Sequence, residues 1–345
     1  MTRRTLTLAV AGFLVVLLSA VAALLPVPYV ALQPGPVSNT LGSVGKQDLI
    51  RIEGRETYPA TGKLDLTTVS VLGGPSQRLD LVTALRGWLD DSIAIVPEEQ
   101  VYPAGETREQ IREQSAAEMR DSQENATTAA LRHLGIPVET RVLVGDVPPD
   151  SPSKGKLRAG DQILQVDGQD VAGGAELRDL ITSREPGERV TIVVSRSGRR
   201  VPATIRTQES EDGRAIVGIT TRDDAEYPFS VEISLEDVGG PSAGLMFALG
   251  IVDKLTPGSM TGGKHIAGTG TIDDAGRIGG IGGITQKMIA ADKAGATVFL
   301  SPPDNCAEAR RTKPDGLKLV RAASLSSAVA AIDKIVEGRS TYPRC

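Results

Sequence analysis

The sequence predicts a mixed α+β protein, an apolar N-terminal helix followed by about two or three folded domains. Three observations carry this. The chain has 345 residues, more than one hydrophobic core usually organises. Its composition, 40% hydrophobic and 23% charged, is that of globular domains, so the 38 glycines signal neither a collagen-like nor a disordered chain. Apolar residues recur with period two in some stretches and with helical spacing in others. The same numbers exclude functions. The net charge is −5 and aromatics are 3%, with no basic stripe interleaved with stacking rings, so nucleic acid is not an expected partner. His133 and His265 lie far apart, and Cys306 and Cys345 alone cannot hold zinc, so no metal site is expected.

Leu6 to Leu25 is an uncharged, mostly apolar run of 20 residues, about 30 Å as a helix and so one hydrocarbon thickness. Arg3 and Arg4 precede it, and the next basic residue is Lys46, so residues 1–28 read as a cytoplasmic tip and single-pass transmembrane anchor with the rest of the chain on the extracytoplasmic side. A signal peptide cut after Ala20-Val21-Ala22 is the alternative, against which the length of the apolar run argues. In an oxidising compartment Cys306 and Cys345 either pair, closing a loop of about 40 residues, or stay free thiols; the sequence leaves both open.

Residues 29–125 read as a mixed N-terminal region: a strand at Thr67–Leu72, a helix at Leu79–Leu89, and a polar, helix-prone stretch from Glu106 to Asn125. Gly73-Gly74-Pro75-Ser76 reads as a loop, since the residues after it are too large for close backbone approach. Residues 126–207 read as a β-rich module, with strands at Arg141–Val147, Gln162–Val166 and Val190–Val194 and a helix at Ala175–Ser183. Residues 208–345 read as the part that carries chemistry. From Phe229 to Glu236 apolar and polar residues alternate as in a half-buried strand. Gly239-Gly240-Pro241-Ser242-Ala243-Gly244 follows, and then Leu245, Leu249, Val252 and Leu255 take helical spacing up to Pro257.

Ser242 thus sits on a glycine-flanked turn at a helix N-terminus, where outward amides carry positive partial charge. The backbone around Gly240, Ser242 and Ala243 is the expected holder of an oxyanion. A serine needs a base, and no Asp–His pairing pattern presents itself. Lys287 lies in a second helix, close to a stripe formed by Ile284, Met288 and Ala291. Burial there would disfavour the ammonium and leave an amine able to take the serine proton. Taken singly, a Gly-Pro-Ser turn is an ordinary helix cap and a lysine near an apolar face usually snorkels to water. The glycine-rich run Gly276–Gly283 lacks the spacing of a dinucleotide loop and reads as a hairpin or substrate-edge loop.

Two family resemblances join these pieces. Leu157 to Gly168, with Gly160-Asp161 before a strand and the Asp167-Gly168 turn after it, resembles the signature of PDZ domains, which implies capture of an extended peptide end; Leu134, Gly135 and Ile136 are the expected carboxylate loop, although Pro137 removes an amide. Pro241-Ser242-Ala243-Gly244, Thr269-Gly270-Thr271-Ile272, and Lys287 45 positions after the serine resemble the proteolytic domain of Lon proteases. That resemblance implies Ser242 as nucleophile, Lys287 as general base and Thr269 as a support for the lysine. Gly239 and Thr271 stand where many members have Asp and Glu. No Gly-Lys pair is followed by the Ser or Thr of a phosphate-binding loop, so neither nucleotide nor any other cofactor is expected. Together the resemblances imply a membrane-anchored, ATP-independent serine endopeptidase acting on polypeptides, and a homo-oligomeric ring as its assembly. A non-catalytic anchored PDZ adaptor is the alternative.

Overall fold

The computed structural model describes all residues except 1–2, 24, 46, 75–77, 104, 106, 211 and 236–237. In chain order it forms α1 (Arg3–Ala23), β1 (Tyr29–Asn39), β2 (Ile50–Glu53), β3 (Lys63–Leu72), α2 (Leu81–Leu89), β4 (Ala94–Pro97) and α3 (Arg108–His133). Next come β5 (Glu139–Val144), β6 (Gln162–Val166), α4 (Gly174–Thr182), β7 (Arg189–Arg196), β8 (Arg199–Arg206) and β9 (Thr221–Glu226). The last third forms β10 (Ser230–Ile233), α5 (Gly244–Leu255), β11 (His265–Gly268), α6 (Ile284–Lys293), β12 (Val298–Ser301), α7 (Cys306–Thr312), β13 (Lys318–Arg321) and α8 (Leu325–Val336), with shorter strands and turns between.

Two compact units result: residues 1–136 with 229–345, and residues 137–228. This differs from a serial division at 125 and 207. The region 29–125 does not stand alone, because β3 pairs in parallel with β11, Leu64 opposite Ile266 and Leu66 opposite Gly268, some 200 positions later. The first unit's main sheet runs β13-β12-β11-β3-β1-β4. Alternate residues of its strands face opposite ways, as the pleat requires. Leu64, Leu66, Ile266, Val298, Leu300 and Val320 pack with α5, α8 and α3, whereas Ala267 and Phe299 pack with Ile284, Met288 and Ala291 of α6. The helix α5 is apolar on every side and buried from Gly244 to Asp253, which makes it the centre of the larger core. Its N-terminus and α6 thus approach the end of β11 from opposite faces of the sheet.

The helix α3 starts on a capping box in which Thr107 and Gln110 satisfy each other's backbone amides. Between buried Met119 and Leu131 its seam is made of small residues, Ser122, Ala126, Ala129 and Ala130, which let it lie close against α5. It ends where Gly135 takes φ 69°, a left-handed C-terminal cap.

Residues 137–228 form an antiparallel sheet in the order β8-β7-β6-β5-β9, closed over a core of Val142, Ile163, Leu177, Ile181, Ile192 and Ile205. Asp167 and Gly168 both have positive φ, the turn that joins β6 to its short partner strand at Gln169–Asp170. Arg196 makes two hydrogen bonds to Asp161; these hold that carboxyl below its usual range although burial pushes the other way.

The 21-residue helix α1 spans about 31 Å and exposes Leu8, Phe13 and Val16. Among the described residues no helix is long and apolar enough to cross a membrane, so the spanning segment expected for Leu6–Leu25 is unsupported here; Leu24 of that run lies outside the described residues. Pro75 and Ser76 of the Gly73–Ser76 loop, Glu106 of the polar helix-prone stretch and Glu236 of the alternating strand also fall outside them.

Cys306 and Cys345 are joined in a disulfide across 39 positions, and the Arg321 amide donates to the Pro343 carbonyl at 3.0 Å, so the last residues are tied along β13. A loop of this length constrains the unfolded chain by about 4 kcal/mol. Cys345→Ser is expected to lower unfolding free energy by about 2–4 kcal/mol in urea melts; an unchanged midpoint would count against the tie.

Candidate active site

Just past the carboxyl end of β11, three side chains from three elements converge. Ser242 precedes α5, Thr269 follows β11, and Lys287 lies on the first turn of α6. The Lys287 amine is 2.8 Å from Ser242 Oγ and donates to Thr269 Oγ1 at 3.1 Å. Thr269 in turn donates to the Ser242 carbonyl at 3.0 Å, so the threonine ties the amine to the turn that carries the serine. Only 3% of Lys287 is exposed, and no carboxylate contacts its amine among the described residues. Burial pulls its pKa down to about 8.

The lysine's position follows from its helix. Gly283 opens α6 with φ 68°, and a Cβ there would lie 2.7 Å from Val69 Cγ2, so the backbone reaches the sheet only as glycine. Four residues later the helix returns to the same face at Lys287. The amine points into a cleft of about 720 Å³ lined by Thr67–Val71 of β3 on one side and by Thr271 and Gly280–Gly282 on the other. Gly276–Gly283 is thus a hairpin loop edging the cleft: Thr271–Ile272 pairs antiparallel with Ile278–Gly279.

The turn itself corrects one sequence reading. The Gly240 amide is engaged, donating to the Ser115 carbonyl of α3 at 2.9 Å, and is not an oxyanion donor. The amides of Ser242 and Ala243 have no partner among the described residues and remain as candidate donors. A Cβ on Gly239 would lie 2.8 Å from Ser115 Cβ, so α3 occupies the space that an aspartate at this position would need.

A second correction concerns Leu134, Gly135 and Ile136. Their three amides donate to Ala130, Arg132 and Leu131 carbonyls, closing the end of α3, and none is left to bind a carboxylate. Residues 137–228 instead carry a groove of about 430 Å³ between α4, through Leu177 and Ile181, and the segment Ile216–Thr221. An Asp–His pair also exists where none was expected: Asp65 and His265, largely buried on adjacent strands. It lies four residues before Thr269 at the other end of β11, about 13 Å away along the strand, and cannot serve Ser242. Among the described residues no cluster of His, Cys, Asp and Glu could hold a metal.

Sequence reasoning read α3 only as a polar, helix-prone stretch and missed its place at the site, where the Ser122 hydroxyl donates to the Pro241 carbonyl at 2.9 Å; it also assigned no chemistry to Thr67–Val71. The small-residue seam of α3 was the available signal.

Comparison with known proteins identifies the domain types present. Residues 237–336, which hold Ser242, Thr269 and Lys287, match the model of the Lon protease (S16) C-terminal proteolytic domain. Residues 117–207 match that of the PDZ domain, although 117–136 belong physically to the first unit, as the later part of α3 and its C-terminal cap. The chain is 42% identical over 65 residues to the Lon protease of Clostridioides difficile, covering 19% of this chain and 8% of that protein. It is 30% identical over 141 residues to the Lon protease of Halothermothrix orenii, covering 38% and 17%. The chain thus spans under a fifth of the length of these relatives. Among solved structures, the PDZ domain of an SdrC-like protein from Listeria innocua is 32% identical, with 24% of this chain and 93% of that one covered and a TM-score of 0.23. The chain therefore carries a PDZ domain and a Lon-type (S16) proteolytic domain, the domain type of serine peptidases.

Proposed function

We propose that this protein is an ATP-independent serine endopeptidase that works with a Ser242–Lys287 dyad. The observation that carries the reading is a buried amine, with no counter-ion among the described residues, within hydrogen-bond distance of a hydroxyl in an open cleft. Neutral Lys287 takes the Ser242 proton as Oγ attacks a peptide carbonyl. The Ser242 and Ala243 amides receive the oxyanion. The lysine then gives its proton to the leaving amine, and afterwards activates the water that releases the acyl group. Thr269 keeps the amine in reach throughout.

The cleft suits an extended substrate. Beyond Leu66, β3 is paired on one side only, by β1, because β11 ends at Gly268. The free edge at Thr67–Val71 offers ladder hydrogen bonds to an unfolded segment and none to a folded domain. The groove beside α4 would recruit polypeptide ends. The exposed apolar face of α1, behind Arg3 and Arg4, supports a tether that places the catalytic part on the extracytoplasmic side, and the disulfide fits an oxidising compartment. A ring assembly rests on the Lon resemblance and is read out by analytical ultracentrifugation.

A serine-directed phosphonate probe followed by mass mapping tests the dyad: label is expected on Ser242 and is lost in Lys287→Ala, and an unlabelled wild type would refute the reading. The pH profile gives a second test. With the amine titrating at about 8, its reactive form rises from about a tenth of molecules at pH 7 to about nine tenths at pH 9. Cleavage of an unfolded casein substrate should therefore increase about tenfold over that interval.

A further inference from the structure

The nucleophile turn is pinned at three successive residues. The Gly240 amide donates to the Ser115 carbonyl at 2.9 Å. The Pro241 carbonyl accepts from the Ser122 hydroxyl at 2.9 Å and, at the longer distance of 3.4 Å, from the Gly244 amide, so the hydroxyl is the shorter of its two holds. The Ser242 carbonyl accepts from Thr269 Oγ1 at 3.0 Å and from the Gly270 amide at 2.9 Å. A peptide unit is planar, and its carbonyl and amide point in opposite directions. Whatever holds the Pro241 carbonyl therefore aims the Ser242 amide, and whatever holds the Ser242 carbonyl aims the Ala243 amide. Those two amides have no partner among the described residues. A hydrogen bond accepted at one end of a peptide also polarises the N–H at the other.

We infer that Ser122 of α3 is a positioning residue for oxyanion stabilisation: by holding the Pro241 carbonyl it fixes the Pro241–Ser242 peptide plane and presents the Ser242 amide to the developing negative charge. The inference rests on the proteolytic reading above and extends it to a helix outside the 237–336 match. Three features support it. Ser122 is 3% exposed, so its hydroxyl does not exchange this partner for bulk water. Gly244 leaves the room, since a Cβ there would lie 2.9 Å from Ser122 Oγ and 2.7 Å from Ile272 Cγ2. Ser115, seven residues earlier on the same face of α3, holds the preceding residue of the turn, so the helix grips the loop at two points. Ser122 touches neither Ser242 Oγ nor the Lys287 amine, so its effect is separable from theirs.

The test compares wild type, Ser122→Ala and Ser122→Thr in the full chain. Ser122→Ala is expected to lower kcat on an unfolded substrate about tenfold, less than losing an oxyanion donor outright, with KM within about twofold and the pH midpoint unmoved. Two affinities are measured alongside: that of a peptide boronate, whose boron accepts the Ser242 oxygen while the proton passes to Lys287, and that of the matching product peptide. Ser122→Ala should weaken the boronate about tenfold and leave the product peptide unchanged, while Ser122→Thr, which keeps the hydroxyl, restores both kcat and the boronate. Because the ratio of the two affinities is taken within one variant, loss of folded protein does not imitate the effect. Unchanged kcat in Ser122→Ala, or equal weakening of boronate and product, overturns the inference while leaving the dyad standing. A wild type that neither turns over substrate nor binds the boronate overturns the proteolytic reading, and the inference falls with it.

Discussion

Ser242→Ala is expected to lower turnover of an unfolded protein substrate by at least about three orders of magnitude and to leave the fold intact. Among the described residues, only one other hydroxyl bonds the Lys287 amine. Thr269 Oγ1, the other hydroxyl on the amine, is fully buried and committed to the Ser242 carbonyl. The substitution removes one exchangeable partner from Lys287 and no buried packing, so the thermal midpoint should stay within about 2 °C. Fluorogenic casein hydrolysis and a melting curve on the same preparation check both halves. Undiminished hydrolysis would reduce the dyad to a structural contact.

Lys287→Met is expected to abolish turnover as well, and yet to make the folded state more stable at neutral pH. In the unfolded chain the lysine titrates near 10.5; in the fold, burial lowers this to about 8. Below pH 8 the unfolded state therefore holds the proton more tightly, and the wild-type fold is destabilised by the full difference, about 3 kcal/mol. Between pH 8 and 10.5 that penalty fades as the unfolded chain loses its proton too. Methionine keeps most of the stem volume without the charge. Urea melts should show Lys287→Met more stable than wild type by roughly 3 kcal/mol at pH 7 and by little at pH 10.5. A variant less stable than wild type at pH 7 would mean that the amine contributes more through its hydrogen bonds than it loses by desolvation.

How far the site was legible depended on whether its determinants were local. Ser242 and its helix could be read because a period-two strand, a glycine turn and a helical stripe follow one another within about 25 residues. Lys287 could be read because Ile284, Met288 and Ala291 mark the apolar face beside it. The partners of these elements were not local. Leu64 and Ile266 are neighbours in the sheet across about 200 positions, and no periodicity in either strand names the other. The helix α3 was recognised only as polar and helix-prone, since it buries Ser122, Ala126 and Ala130 instead of a leucine stripe. Two glycines also misled. Gly135 marks a helix end and not a ligand loop, and Gly240 serves the turn by giving its amide to Ser115.

The interleaving of the two units sets an order on synthesis. On the ribosome β1, β3 and α3 emerge first, but the strand that flanks β3 and the helix that covers α3 lie beyond residues 137–228. The nascent chain must carry Leu64, Leu66 and the small-residue seam of α3 uncovered while the intervening module is made and folds. The hydroxyl and the amine are brought together only once α5, β11 and α6 have all been made, so the chain completes residues 137–228 before the site can close.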